Sequence, residues 1–144
     1  MSTLQVLTCT HQDANLLAEL RARAMKDSLE AIGRYDEQRV RNRLLANFVA
    51  GNTYQLRMDN QLVGFYVIHQ REDHMYLDHF YIDPTFQGQG LGHKVLTDIL
   101  QQAHASAQPV RLGALRNSRA NEFYRRHGFI QTHEDEFDIF YQWG

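Results

Sequence analysis

At 144 residues the chain is the size of one domain, and it is read as a single unit over 1–144. Hydrophobic residues make up 43% and charged residues 22%, an ordinary globular balance, and the net charge of −2 gives no general attraction to nucleic acid or anionic lipid. The opening MSTLQVLTCTHQD lacks the basic start and apolar core of a signal peptide, no apolar run approaches the ~20 residues that span a bilayer, and Cys9 stands alone, so a cytoplasmic protein without membrane segments is expected.

In chain order, LQVLTC predicts a first strand. HQDANLLAELRARAMKDSLEAI places Leu16, Leu20 and Ala24 four apart, then Met25, Leu29 and Ile32, which predicts a helix with Asp13 as N-cap. DEQRVRNRLLANFV repeats the pattern with Val40, Leu44 and Phe48, and puts Asp36 and Glu37 in the first turn, where the helix dipole favours them. NTYQLRMDNQLVGFYVIHQ predicts a hairpin turning at MDNQ. HMYLDHFYI predicts another strand, and LGHKVLTDILQQAHA a helix with Leu91, Val95, Ile99 and Ala103 on one face. PVRLGAL predicts a strand. SRANEFYRRH predicts a short helix, with Ala120, Phe123, Tyr124 and His127 on one side and Gly128 at its end. FIQTH and FDIFYQW predict a last hairpin. The order β-α-α-β-β-β-α-β-α-β-β implies a β-α-β crossover inside a mixed sheet.

The stretch DPTFQGQGLGHK, residues 83–94, sets glycines at 88, 90 and 92 between a strand and a helix. The first N–H groups of a helix have no internal partner, and glycines let a phosphate approach them. A nucleoside-triphosphate loop would need glycine before Lys94 and Ser or Thr after it, where His93 and Val95 stand. A dinucleotide fingerprint starting at Gly88 would need glycine at His93. Both patterns fail.

Gln87, Gly90 and Gly92 after YIDP, followed by NSRANEFYRRHGF at 117–129, resemble the two signature blocks of the GCN5-related N-acetyltransferase (GNAT) superfamily. The order of elements extends the resemblance over nearly the whole chain. It implies an α+β fold with a central mixed, mostly antiparallel, splayed sheet and about four flanking helices. It also implies acetyl-CoA as cosubstrate and a small-molecule or peptide amine as acceptor. By position, the N–H groups of Gly88, Gln89, Gly90, Leu91, Gly92 and His93 would hold the pyrophosphate, next to Gln87. Phe80, Tyr81 and Ile82 would offer their backbone to the pantetheine arm, and Asn117 and Asn121 would contact the cofactor.

Acyl transfer to an amine sets three chemical demands. Keeping an alkyl amine of pKa ~10.4 neutral at pH 7 costs about 4.6 kcal/mol, so a base must take a proton. A hydrogen-bond donor must meet the oxyanion, and an acid must meet the thiolate. Tyr124 matches the family's tyrosine near the coenzyme sulfur and is the expected acid; a backbone N–H within 80–82 is the expected oxyanion donor. Some members of the superfamily carry a Glu on the strand after the long helix; here that strand reads VRLGAL and has no acid, which leaves Asp78, His79, another residue or a water chain as the base, and strand geometry turns Asp78 and His79 to opposite faces. Histidines 69, 74 and 79 alternate faces, and no metal motif is present. In the family's topology the link between the first two helices and the last hairpin turn frame the acceptor entrance, so the resemblance implies that Arg34 and Arg39, with the acidic run Glu134–Asp138, meet a small acceptor carrying an amine and an acid group; a solvated surface is the alternative for both charge groups. A non-catalytic acyl-CoA sensor or partner-binding module is the rival reading. A role on nucleic acid is disfavoured by charge, and a monomer or homodimer is expected.

Overall fold

The computed structural model describes residues 3–144. The strands are β1 (Leu4–Thr8), β2 (Thr53–Met58), β3 (Gln61–Gln70), β4 (Met75–Ile82), β5 (Val110–Leu115), β6 (Ile130–Glu134) and β7 (Asp138–Trp143). The α-helices are α1 (Ala14–Ala31), α2 (Glu37–Leu45), α3 (Leu91–Ala105) and α4 (Ala120–Arg126). This is the element order expected from the sequence. The strands follow the order β1-β2-β3-β4-β5-β7-β6, and every pairing described is antiparallel except β4 with β5.

The chain falls into two compact units, 1–67 with 79–92, and 68–78 with 93–144. In the first, β1 pairs with β2 and β2 with β3. The β2–β3 turn works because Asp59 and Asn60 adopt φ of 52° and 64°, left-handed values that these two residue types tolerate and that a tight hairpin requires. The core gathers Leu17, Ala18 and Leu20 of α1, Leu44 of α2, and Phe65 and Val67 of β3. The buried stripe of α1 is therefore rotated from the expected one: Leu16 is exposed and Leu17 is buried. Asp13 does not cap α1 with its side chain. Its carboxylate reaches back to the Thr10 N–H at 2.8 Å, in a 3-10 turn that leads into the helix. Asp36 does cap α2, accepting the Arg39 N–H at 2.8 Å. That helix stops at Leu45, and Phe48 packs on the core from beyond its end.

In the second unit β4 runs parallel to β5 through Met75–Val110 and Tyr76–Arg111, the two ends of the expected crossover. Helix α3 buries Val95, Leu96, Ile99, Leu100 and Ala103. Strand β7 pairs with β5 and then with β6, so the last hairpin enters the sheet through its second strand. Gly128 ends α4 at φ 90°, a conformation that disfavours any side chain.

Gly64 on β3 has a packing reason. A Cβ there would lie 2.5 Å from the Tyr81 carbonyl oxygen and 3.0 Å from Ile82 Cδ1. The absence of a side chain lets β3 and the end of β4 close up. Gly64→Ala is expected to cost about 1–3 kcal/mol through overpacking. At about 2–4 °C per kcal/mol for this size, Tm should fall by several degrees in a thermal melt. An unchanged Tm would show that the strands part freely.

Candidate functional site

The loop after β4 is built from its first residue. The Asp83 N–H donates to Val63 O at 2.8 Å, which holds the end of β4 beside β3. Its carboxylate accepts the Thr85 N–H at 3.1 Å and pairs with Arg23 Nη2 at 2.7 Å, opening a 3-10 turn over Pro84–Phe86. Gln87 Nε2 then donates back to Ile82 O at 3.0 Å. Gly88 and Gly90 follow at φ of 80° and 78°, and a Cβ on either would meet nothing within 4 Å. Glycine is needed here for conformation, and the outer side of the backbone is open. Leu91 and Gly92 form the first turn of the 15-residue α3, whose leading N–H groups lack intrahelical partners. A bare backbone leading into a helix N-terminus is the arrangement that phosphate oxygens require.

Burial pushes the Asp83 carboxyl up. The Arg23 hydrogen bond and charge, with the Thr85 N–H, outweigh this and hold it below its ordinary 3.8. A depressed carboxylate pKa contributes stability that is present above the unfolded value and lost as pH falls through the folded one. Asp83→Asn should therefore lower Tm most at neutral pH, and the gap to wild type should close as pH falls below about 4. A gap that is constant with pH would show that the ion pair is not its source.

Strand β4 alternates as expected: Met75, Leu77 and His79 are buried, while Tyr76, Asp78 and Phe80 are half-buried. Within the first unit, His79 Nε2 lies 3.4 Å from Arg43 Nη1, and its Nδ1 lies 3.2 Å from the Tyr81 hydroxyl. A guanidinium only donates, so this contact makes Nε2 the acceptor and Nδ1–H the donor to Tyr81. Arg21 Nε also donates to the Tyr81 hydroxyl, at 3.2 Å, and its guanidinium carbon sits 5.7 Å from the centre of that ring. Arg21 Nη1 donates to Val40 O at 2.7 Å. Phe80 meets Tyr66 edge-on, with centroids 6.4 Å apart.

Asp78, His93, Asn117, Asn121 and Tyr124 belong to the second unit. Asp78 Oδ2 lies 3.1 Å from His69 Nε2, both side chains mostly buried. His93 Nδ1 lies 2.8 Å from His127 Nε2, and His127 Nδ1 donates to Phe123 O at 2.8 Å. Asn117 is exposed and holds φ 70°. Asn121 is buried. Its amide donates to Leu115 O and Ser118 O at 2.8 and 3.0 Å, and its Oδ1 accepts from the Tyr141 hydroxyl at 2.8 Å. The amide thus ties α4 to the strands beneath it. Tyr124 is buried, its ring edge-on to Phe129 at 5.4 Å.

Other flagged residues have local duties. Arg116 pairs with Glu134 at 3.2 Å, and Asp135 caps its turn by accepting from Phe137 and Asp138. Arg39 donates to Arg34 O. Among the described residues no group of three or more His, Cys, Asp or Glu is arranged to hold a metal ion, and no helix is long and apolar enough to cross a membrane. Burial raises the Cys9 thiol to about 11, with help from the Asp13 charge, so it is a poor nucleophile.

Residues 18–138 match the family model of the acetyltransferase (GNAT) domain. The chain belongs to this family. No curated protein matches it in sequence. Among solved structures it is similar to the PaiA N-acetyltransferase of Thermoplasma acidophilum, solved in complex with coenzyme A. That match has 17% identity and a TM-score of 0.74, and covers 97% of this chain and 98% of that one. An acetyltransferase of Thermus thermophilus gives 19%, 0.77, 98% and 96% on the same measures. The ribosomal-protein-S18-alanine N-acetyltransferase of Escherichia coli gives 18%, 0.72, 99% and 92%. At these identities the likeness is one of fold, and the fold is that of the GNAT domain.

Two residues of this GNAT domain escaped the sequence reading. Gly64 carried a signal, since an isolated glycine inside an apolar strand marks close approach of another backbone. Arg21 carried one too: it stands four residues after Leu17 and one after Leu20, a charge on the buried side of α1.

Proposed function

We propose that this GNAT domain is an acetyl-CoA-dependent N-acetyltransferase acting on the amine of a small molecule or peptide, working in the cytoplasm by direct transfer. The observation that carries the reading is the open glycine backbone at 88–90 running into the N-terminus of α3. Its N–H groups, from Gly88 to His93, are assigned to the pyrophosphate. Gln87 is assigned to bracing the loop through Ile82 O. The backbone of Phe80, Tyr81 and Ile82 is assigned to the pantetheine arm and to the oxyanion. Asn117 is assigned a cofactor contact. For Asn121, whose amide is engaged within the fold, we favour a positioning role.

Acetyl-CoA supplies the thioester. The amine nitrogen forms a bond to the carbonyl carbon, and the C–S bond breaks as the intermediate collapses. The products are the N-acetyl amide and the free thiol. Tyr124 gives its proton to the departing sulfur. The amine proton needs an acceptor, and the two candidates on β4 differ. His79 has its acceptor nitrogen against the Arg43 cation, which disfavours a second positive charge there. Asp78 is a carboxylate oriented by His69, and we assign it the base role, through water. No thiol competes as nucleophile, because Cys9 is buried with its pKa raised.

The experiment is a thiol-release screen with acetyl-CoA against polyamines, amino acids, aminoglycosides and peptide N-termini. Amine-dependent release supports the reading. Tight acetyl-CoA binding with no release from any amine would favour the acyl-CoA sensor.

A further inference from the structure

Arg21 is 8% exposed and has no carboxylate partner among the described residues. Its neighbours on the same helices do have such partners. Arg23 pairs with Asp83, and Arg41 pairs with Glu19 at 2.6 Å, although both of these arginines are more exposed than Arg21. Burying a cation without a counter-charge is costly, so such a cation calls for an explanation. Val40 O and the Tyr81 hydroxyl satisfy Nη1 and Nε. Nη2 donates to nothing described. Among the described residues no fully buried side-chain nitrogen or oxygen lacks a partner, so Nη2 is not fully buried. The guanidinium is thus locked by two hydrogen bonds and an aromatic ring, with one NH2 group left to meet a further acceptor.

Arg43 stands on the far side of His79, and the Tyr81 hydroxyl already receives hydrogen bonds from Arg21 and from His79. An oxygen that accepts twice turns its own proton elsewhere, adding a neutral donor beside the free guanidinium edge. A fixed cation and a hydroxyl donor together form a receptor for an anion, and a planar guanidinium edge matches a carboxylate.

We infer that Arg21 with Tyr81 binds a carboxylate of the acceptor, so the substrate is an amino acid or a short peptide whose amine is acetylated. The inference rests on the N-acetyltransferase reading and names its substrate class. It replaces Arg34 and Arg39, the arginines singled out in the sequence, as the carboxylate anchor. Arg39 spends a guanidinium nitrogen on a backbone carbonyl.

The test uses the wild-type protein first, which removes any question of a variant's folding. Thiol release from acetyl-CoA is measured for matched acceptors: free amino acids, their carboxamides and the corresponding decarboxylated amines. The acid of each productive set should exceed both partners in kcat/KM by roughly 10- to 100-fold, the scale of hydrogen bonds to a charged group. Arg21→Gln should bring the acid down to its carboxamide, chiefly through KM, while the acetyl-CoA thermal shift stays unchanged. Carboxamides or decarboxylated amines that match the acids on wild type would overturn the inference and leave the transferase reading standing. No release with any amine would overturn the transferase reading itself.

Discussion

Replacing Tyr124 by Phe should lower kcat by roughly 10- to 10⁴-fold, the range over which positioned acids and bases act. The substitution keeps the ring and its edge-on packing against Phe129, so the folded state and the affinity for acetyl-CoA should change little. The deleted hydroxyl matters when the C–S bond breaks. Without a proton the sulfur must leave as a bare thiolate, and the intermediate returns to reactants more often. The measurement is single-turnover acetyl transfer, which isolates chemistry from product release. A rate equal to wild type in that assay would remove Tyr124 from the mechanism and leave it as a packing residue of α4.

The second large effect is on cofactor binding. Acetyl-CoA at about 100 times its Kd should stabilise the protein by about 2.7 kcal/mol through mass action. That corresponds to about 5–11 °C in Tm for a domain of this size. Gly90→Asp should abolish the shift. A side chain at Gly90 meets no neighbour within 4 Å, so the variant should fold, with a modest cost for its φ of 78°. The new carboxylate would occupy the open side of the loop and repel phosphate. An apo melt of the variant serves as control. Equal acetyl-CoA shifts in the two proteins would show that the loop does not hold the pyrophosphate.

The fold was readable because its signals are local. The hairpin turn at Asp59–Asn60 and the stop at Gly128 each declare themselves within a few residues, whereas Asp36, expected in the first turn of α2, stands just before it as the cap. Periodicity placed α3 to the residue, because Val95, Ile99 and Ala103 leave one clear stripe. It misjudged α1, where Leu16 and Leu17 are adjacent and either could lead the buried face; tertiary packing chose Leu17. The glycine loop was legible as a strand-to-helix junction. Its bracing by Arg23, Asp83 and Gln87 was not, because Arg23 and Asp83 are 60 residues apart in sequence. The role of Asn121 was hidden for the same reason: its partner Tyr141 lies 20 residues on. Arg21 was visible as a charge in an apolar stripe, yet only the structure shows that no carboxylate among the described residues answers it.

Direct passage of the acetyl group from acetyl-CoA to an amine is tested by supplying acetyl-CoA labelled in the acetyl group and weighing both the acceptor and the protein by mass spectrometry. Label is expected in an amide of the acceptor, one for each thiol released, with the protein's mass unchanged throughout turnover. Thiol released without labelled amide, or label retained on the protein, would contradict it.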